Sequence, residues 1–175
     1  MILTAFLNLS GQKSYNQITV TELCAEANVN RTTFYKHYRG TWEIKEHISD
    51  ELVDVVKTIM TQFKDKDVIA NSLDIFKAIN YELESKLDFY ISLHRMKESN
   101  LFVDKIIDAV RENLVNHLSL LEGEFDIHTI QIAFTYFTGG IVGTYKGWFN
   151  GRVACSLDEV AETLSQFVKN SFIKI

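Results

Sequence analysis

No proline occurs among the 175 residues of this chain. Proline removes an amide donor and clashes with the preceding turn, so a chain without it lacks the strongest interior helix breaker. Its apolar residues recur at three- and four-residue spacing in segment after segment, and no segment alternates at the strand period. Two capping boxes add start signals: T-V-T-E at Thr19 to Glu22 and S-L-D-E at Ser156 to Glu159. An all-α fold of about nine helices is expected.

The pattern predicts helices at 2–9, at 20–27 after the first capping box, and at 31–38 behind an Asn30 cap and closed by Gly40. A long amphipathic helix should run from Thr41 to about Phe63, with Ile44, Ile48, Leu52, Val55 and Ile59 on one stripe. Apolar periodicity continues at about 69–84 and 86–96, with no clear boundary between them. Ser99-Asn100 can cap a helix carrying Val103, Ile106, Val110, Leu114 and Leu118, with Gly123 as its stop. Further helices are expected at 126–149 and at 157–172, the latter through Leu157, Val160, Leu164, Phe167, Val168 and Phe172. Residues 1–47 then form a small head, and 48–175 a larger helical body.

Hydrophobic residues make up 46% and charged residues 23%, the balance of an ordinary globular chain. No apolar run approaches the roughly 18 residues that a membrane span needs. The apolar N-terminus has neither the basic region nor the cleavage site of a signal peptide. Cys24 and Cys155 lie in no metal-ligand spacing, and two lone thiols point to a reducing cytoplasm. The five histidines are scattered, so neither a metal site nor any other cofactor is expected. No carboxylate pair or nucleophile–base pair supports an enzyme.

Charge is uneven. The head holds five Lys/Arg against four Glu, whereas the rest of the chain holds 13 basic against 19 acidic residues, giving −5 in all. Within the head, N-R-T-T-F-Y-K-H-Y-R-G at 30–40 contains no acid. Two short helices around a three-residue turn, Asn28-Val29-Asn30, make a helix-turn-helix pattern. Leu23, Ala27, Val29, Phe34 and Tyr38 can close its small core. The second helix then has a free face carrying Arg31, Thr32, Thr33, Lys36 and His37. Arg or Lys can reach guanine O6 and N7, threonine offers a hydroxyl and a methyl to thymine, and the other donors can hold phosphates. This is the mixture that double-stranded DNA requires.

The stretch I-T-V-T-E-L-C-A-E-A-N-V-N-R-T-T-F-Y-K-H-Y-R-G-T-W-E-I resembles the N-terminal domain of TetR/AcrR-family transcriptional regulators. The residues that carry the likeness are Thr19, Ala27, Val29, Thr33, Phe34, Tyr35, His37 and Tyr38, within about residues 1–47. The resemblance implies a two-domain helical homodimer whose body binds a small molecule that changes DNA affinity. It also implies that Thr19, Tyr35 and His37 contact phosphates while Arg31, Thr32, Thr33 and Lys36 face the groove. Two features depart from the family pattern: Thr41 stands where Lys is usual, and the basic N-terminal extension is missing from this chain.

In the body, Ala133, Gly140, Gly143 and Gly147 fall on one narrow helical stripe. Mid-helix glycine costs roughly 1 kcal/mol relative to alanine, so several together point to close helix–helix approach. Packing within the chain would satisfy that equally. Because family dimers pair their last two long helices, the resemblance assigns this stripe, with Leu164, Phe167 and Val168, to a dimer interface. An aromatic set at Phe76, Phe89, Tyr90, Phe102, Phe134 and Phe137, with His94 and Tyr136 as polar contacts, can line a small-molecule cavity, or simply fill a solid core. No Arg or Lys cluster accompanies it, so an effector would be apolar or aromatic. The expected function is a ligand-responsive regulator, a repressor, binding a palindromic operator as a homodimer. The rival is a protein-interaction module whose helix-turn-helix no longer binds DNA.

Overall fold

The computed structural model describes residues 1–64, 66–121 and 126–172, by backbone alone at 115–121 and 172. Regular structure among them is entirely helical: α1 (Ile2–Gln12), α2 (Val20–Glu26), α3 (Arg31–His37), α4 (Thr41–Thr61), α5 (Ser72–Ser85), α6 (Leu87–Arg95), α7 (Asn100–Leu121), α8 (Ile127–Phe149) and α9 (Leu157–Phe172), with a single 3-10 turn at Tyr15–Gln17. The all-α expectation is met. The Gly123 stop and the side chains of Leu118 and Phe172 lie outside the described residues. No helix among them is long and apolar enough to cross a membrane.

Without proline, the helices end by turning the backbone. Two of them use the same device, a left-handed residue just past the cap that redirects two amides onto the last carbonyls. At the end of α2, Asn28 adopts φ 51°. Its N–H donates to Ala25 O at 3.2 Å, and that of Val29 to Cys24 O at 3.0 Å. At the end of α8, Gly151 takes φ 68°, and the Gly151 and Arg152 amides donate to Trp148 O and Gly147 O at 2.9 and 2.8 Å. Asparagine tolerates this backbone region better than other residues bearing a side chain, and glycine enters it freely. The unplaced break between α5 and α6 falls at Lys86, whose φ −131° and ψ 38° leave the helical region.

Two compact units result. The first comprises residues 1–54 and 86–106. Here α1 packs on α2 and on α6, and α2 packs on α3. Phe6, Leu23, Phe34, Ile44, Ile48 and Phe102 are its most completely enclosed large side chains, each worth roughly 1.5–3 kcal/mol relative to exposure. The backbone ties α1 to the end of α6 as well. Lys97 N–H donates to Ser10 O at 3.2 Å, and Tyr15 N–H to a Glu98 carboxylate oxygen at 3.5 Å. Residues 86–106 thus belong with the helix-turn-helix, a partnership that no local pattern announces.

The second unit comprises residues 55–85 and 107–175. Helix α5 lies along α9, and α8 also packs on α9. Phe76, Val160, Ala161 and Leu164 form its buried centre, flanked by Ile141, Tyr145, Trp148, Val153 and Val168. Polar groups inside this unit are paired. Ser72 and Ser165 share a hydroxyl–hydroxyl bond of 3.1 Å. The Tyr145 hydroxyl donates to Asn80 Oδ1 at 2.7 Å, while the Asn80 amide donates to Leu157 O. Burial pushes the Tyr145 phenol well above its ordinary range, so it remains a donor.

Candidate nucleic-acid interface

The head's functional surface is built from two caps and one turn. Thr19 caps α2: its Oγ1 accepts from Glu22 N–H at 3.2 Å, and a Glu22 carboxylate oxygen accepts from Thr19 N–H at 3.0 Å and from its hydroxyl at 2.8 Å. Lys13 adds an ammonium 2.6 Å from the same carboxylate. Lys13 and the Thr19 donors together hold the Glu22 carboxyl at about 2. The acid at the start of α2 is therefore both ionised and neutralised by a partner, which limits its repulsion of a polyanion. The Asn28 turn then leads to Asn30, whose Oδ1 accepts from Thr33 N–H at 2.7 Å and starts α3.

Helix α3 has one apolar anchor. Phe34 is completely enclosed and meets the Tyr35 and Tyr38 rings at 5.3 and 6.1 Å. Truncating such a residue to alanine typically costs about 3–5 kcal/mol, so Phe34 fixes which face of α3 remains free. On that face Arg31, Thr32, Tyr35, Lys36 and His37 are exposed and Thr33 is half-buried. Lys36 and Arg39 make no ion pair among the described residues, so their positive charge stays available. Arg31 donates from Nη2 to Thr21 Oγ1 on α2.

The end of α3 departs from expectation. Gly40 does not close the helix by a left-handed turn; Tyr38 does so by taking extended angles, φ −142° and ψ 138°. The Tyr38 hydroxyl lies 2.8 Å from His47 Nδ1 on α4. Gly40 instead makes room: a β-carbon there would stand 2.8 Å from Trp42 Nε1. That indole, on the first turn of α4, is 53% exposed. Glu43, one turn in, accepts from Arg39 N–H and caps the connection. Neither Thr21 nor Trp42 was singled out from sequence. Thr21 gives no signal there, because its partner is ten residues away. Trp42 could have been flagged as a large aromatic beside a glycine.

A family model of TetR type, described as the transcriptional regulator C-terminal region, matches residues 70–170, more than half of the chain. The chain belongs to the TetR family. Its fold is similar to that of a TetR-family transcriptional regulator from Syntrophomonas wolfei, at TM-score 0.67 and 14% identity over 99% of this chain and 94% of that one. It is similar also to a TetR-family regulator from Streptomyces coelicolor (TM-score 0.59, 15% identity, 95% and 78% covered). A third likeness is to the fatty acid degradation regulator FadR from Bacillus halodurans (0.62, 15%, 96% and 92%). In sequence, an HTH-type transcriptional regulator of Haemophilus influenzae is 30% identical over 77 residues, spanning 41% of this chain and 38% of that protein. TetR-family members are non-enzymatic DNA-binding regulators, and α2, the Asn28 turn and α3 make a helix-turn-helix in this chain.

The other expected site residues have definite surroundings. Of the stripe on α8, Gly140 and Gly143 are exposed with nothing within 4 Å of a β-carbon, as is neighbouring Gly139. Gly147 differs: a β-carbon there would lie 3.0 Å from Val153 Cγ2 of the same chain. Ala133 is half-buried, Leu164 belongs to the second unit's buried centre, and Val168 packs against it. Phe167 is 60% exposed, and Ile132 and Tyr136 on α8 are 70% and 74% exposed. Of the aromatic set, Phe89, Tyr90, His94 and Phe102 lie in the first unit; Phe76, Phe134 and Phe137 lie in the second. Phe76, Tyr90 and Phe102 are buried, the others half-buried. The Arg111 guanidinium stands 5.1 Å from the Phe134 ring centre, a cation that the sequence reading did not place there.

Proposed function

We propose that this TetR-family chain is a ligand-responsive transcriptional repressor that binds a palindromic operator as a homodimer, in a cytoplasmic setting. Residues 1–47 would supply the DNA-binding domain and 48–175 the regulatory and dimerisation domain, of which 86–106 pack in the same unit as the helix-turn-helix. On this reading Arg31, Thr32, Thr33 and Lys36 face the major groove, and Thr19, Tyr35 and His37 hold phosphates. The observation that carries it is the free face of α3, which presents Arg31, Thr32, Tyr35, Lys36 and His37 with no acid among them. The exposed glycines and aromatics of α8, with Phe167 of α9, support pairing of two copies there. The effector would be small and apolar or aromatic, and would act by shifting α4 and so the spacing of two recognition helices. A ligand preferring the misaligned state a hundredfold would shift the balance by roughly 2.7 kcal/mol.

The test is selection of duplexes from a randomised pool by the purified full-length chain, followed by titrations at several salt concentrations. The expected product is an inverted repeat with half-sites about one helical turn apart and affinity that falls steeply with salt. Absence of duplex binding even at low salt would overturn the proposal in favour of a protein-interaction module.

A further inference from the structure

We propose that Thr21 and Arg31 act as one base-reading unit, in which the Thr21 hydroxyl sets the direction of the Arg31 guanidinium. Thr21 is thereby a specificity-setting positioning residue. The inference rests on the reading above that the free face of α3 meets the groove.

Arg31 is the first residue of α3 and Thr21 the second of α2. The left-handed Asn28 turn brings these two exposed helix starts together, and Arg31 Nη2 donates to Thr21 Oγ1. The chemistry of the anchor matters. A carboxylate in Thr21's place would fix the guanidinium but cancel its charge and repel phosphates. A hydroxyl oxygen restrains the side chain and leaves the full positive charge available to DNA. Guanidinium has five N–H donors in a rigid plane. One donor serves Thr21, and bidentate contact with guanine O6 and N7 needs only two more. A long arginine ordered only on binding loses rotamer freedom at that moment. Restraint by Thr21 imposes part of that loss beforehand, and it disfavours directions that would accept another base.

The experiment uses the full-length chain and four variants: Thr21→Val, Thr21→Ser, Arg31→Ala and the Thr21→Val/Arg31→Ala double change. Each selects from a randomised duplex pool. The wild-type consensus and its single-base variants are then titrated against a scrambled duplex, with thermal melts as folding controls. Arg31→Ala should flatten the preference at one base pair in each half-site. Thr21→Val should lower preference at that same base pair by about fivefold, the scale of one net hydrogen bond, while affinity for scrambled duplex stays within about twofold. Thr21→Ser should restore the preference, and the double variant should match Arg31→Ala. Unchanged preference in Thr21→Val, equal weakening on all duplexes, or full additivity in the double variant would overturn the inference while leaving Arg31's groove contact standing. Unchanged preference in Arg31→Ala would instead remove the groove-facing assignment, and the inference with it.

Discussion

Replacing Gly140 and Gly143 by alanine separates what α8 does within one chain from what it does between two. Both glycines sit inside a helix, and a β-carbon at either meets no atom within 4 Å. For a chain on its own the two changes should therefore stabilise, by about 1 kcal/mol each, because alanine gives up less backbone entropy in a helix. If two copies pack through this stripe, the same β-carbons enter a closely filled interface. Overpacking there costs about 1–3 kcal/mol and raises the dimer dissociation constant roughly 5- to 150-fold. The two readings thus differ in sign. Sedimentation velocity across a concentration series gives the dimer constant, and thermal melts at high and low concentration separate chain stability from association. The expected result is a weaker dimer whose dissociated chains melt higher than wild type. A wild-type chain that stays monomeric at micromolar concentration, or a double variant whose dimer is as tight as wild type, would refute the assignment of this stripe. Gly147→Ala is the internal control. Its β-carbon meets Val153 at 3.0 Å, so its effect should appear in the isolated chain.

Tyr145→Phe removes the donor to Asn80 Oδ1 and leaves a buried acceptor unpaired. The expected loss is about 2 kcal/mol, or roughly 4–8 °C in Tm at fixed protein concentration, and an unchanged melt would show that the bond contributes nothing. Asn28→Ala should destabilise the head by about 1 kcal/mol, because alanine tolerates a φ of 51° less well than asparagine with its short polar side chain, whereas Asn28→Gly should not. Urea unfolding of both variants checks the pair. Glu22 has its carboxyl lowered from 4.5 to about 2. Its contribution is therefore complete above pH 4.5 and is lost as pH falls through about 2. Glu22→Gln should remove that part of the acid dependence, as followed by helical signal between those two values, and leave the neutral-pH slope alone.

Sequence alone determined whatever acts within about one helical turn. Thr19 and Glu22, Asn30 and Thr33, and Ser156 and Glu159 are each three residues apart, and all three caps form where the spacing places them. Periodicity gave the helices for the same reason, since a helical face repeats every three to four residues. The helix-turn-helix was legible because its core spacing and caps fit into one short run. Helix ends were less so. Gly40 looked like a stop but takes no left-handed angle, and Tyr38 ends α3; α1, expected over 2–9, runs on to Gln12. A glycine permits a turn without requiring one. Tertiary structure alone decided the contacts made across long stretches of chain. Tyr145 and Asn80 are 65 residues apart, Asn80 and Leu157 are 77, and Ser72 and Ser165 are 93. It also decided that residues 86–106 join the head, that Arg31 finds Thr21, and that Gly147 faces Val153 while Gly140 stays open. The physical reason is that an amphipathic stripe states that a face must be covered but not what covers it. That choice is made by the packing of whole helices against one another.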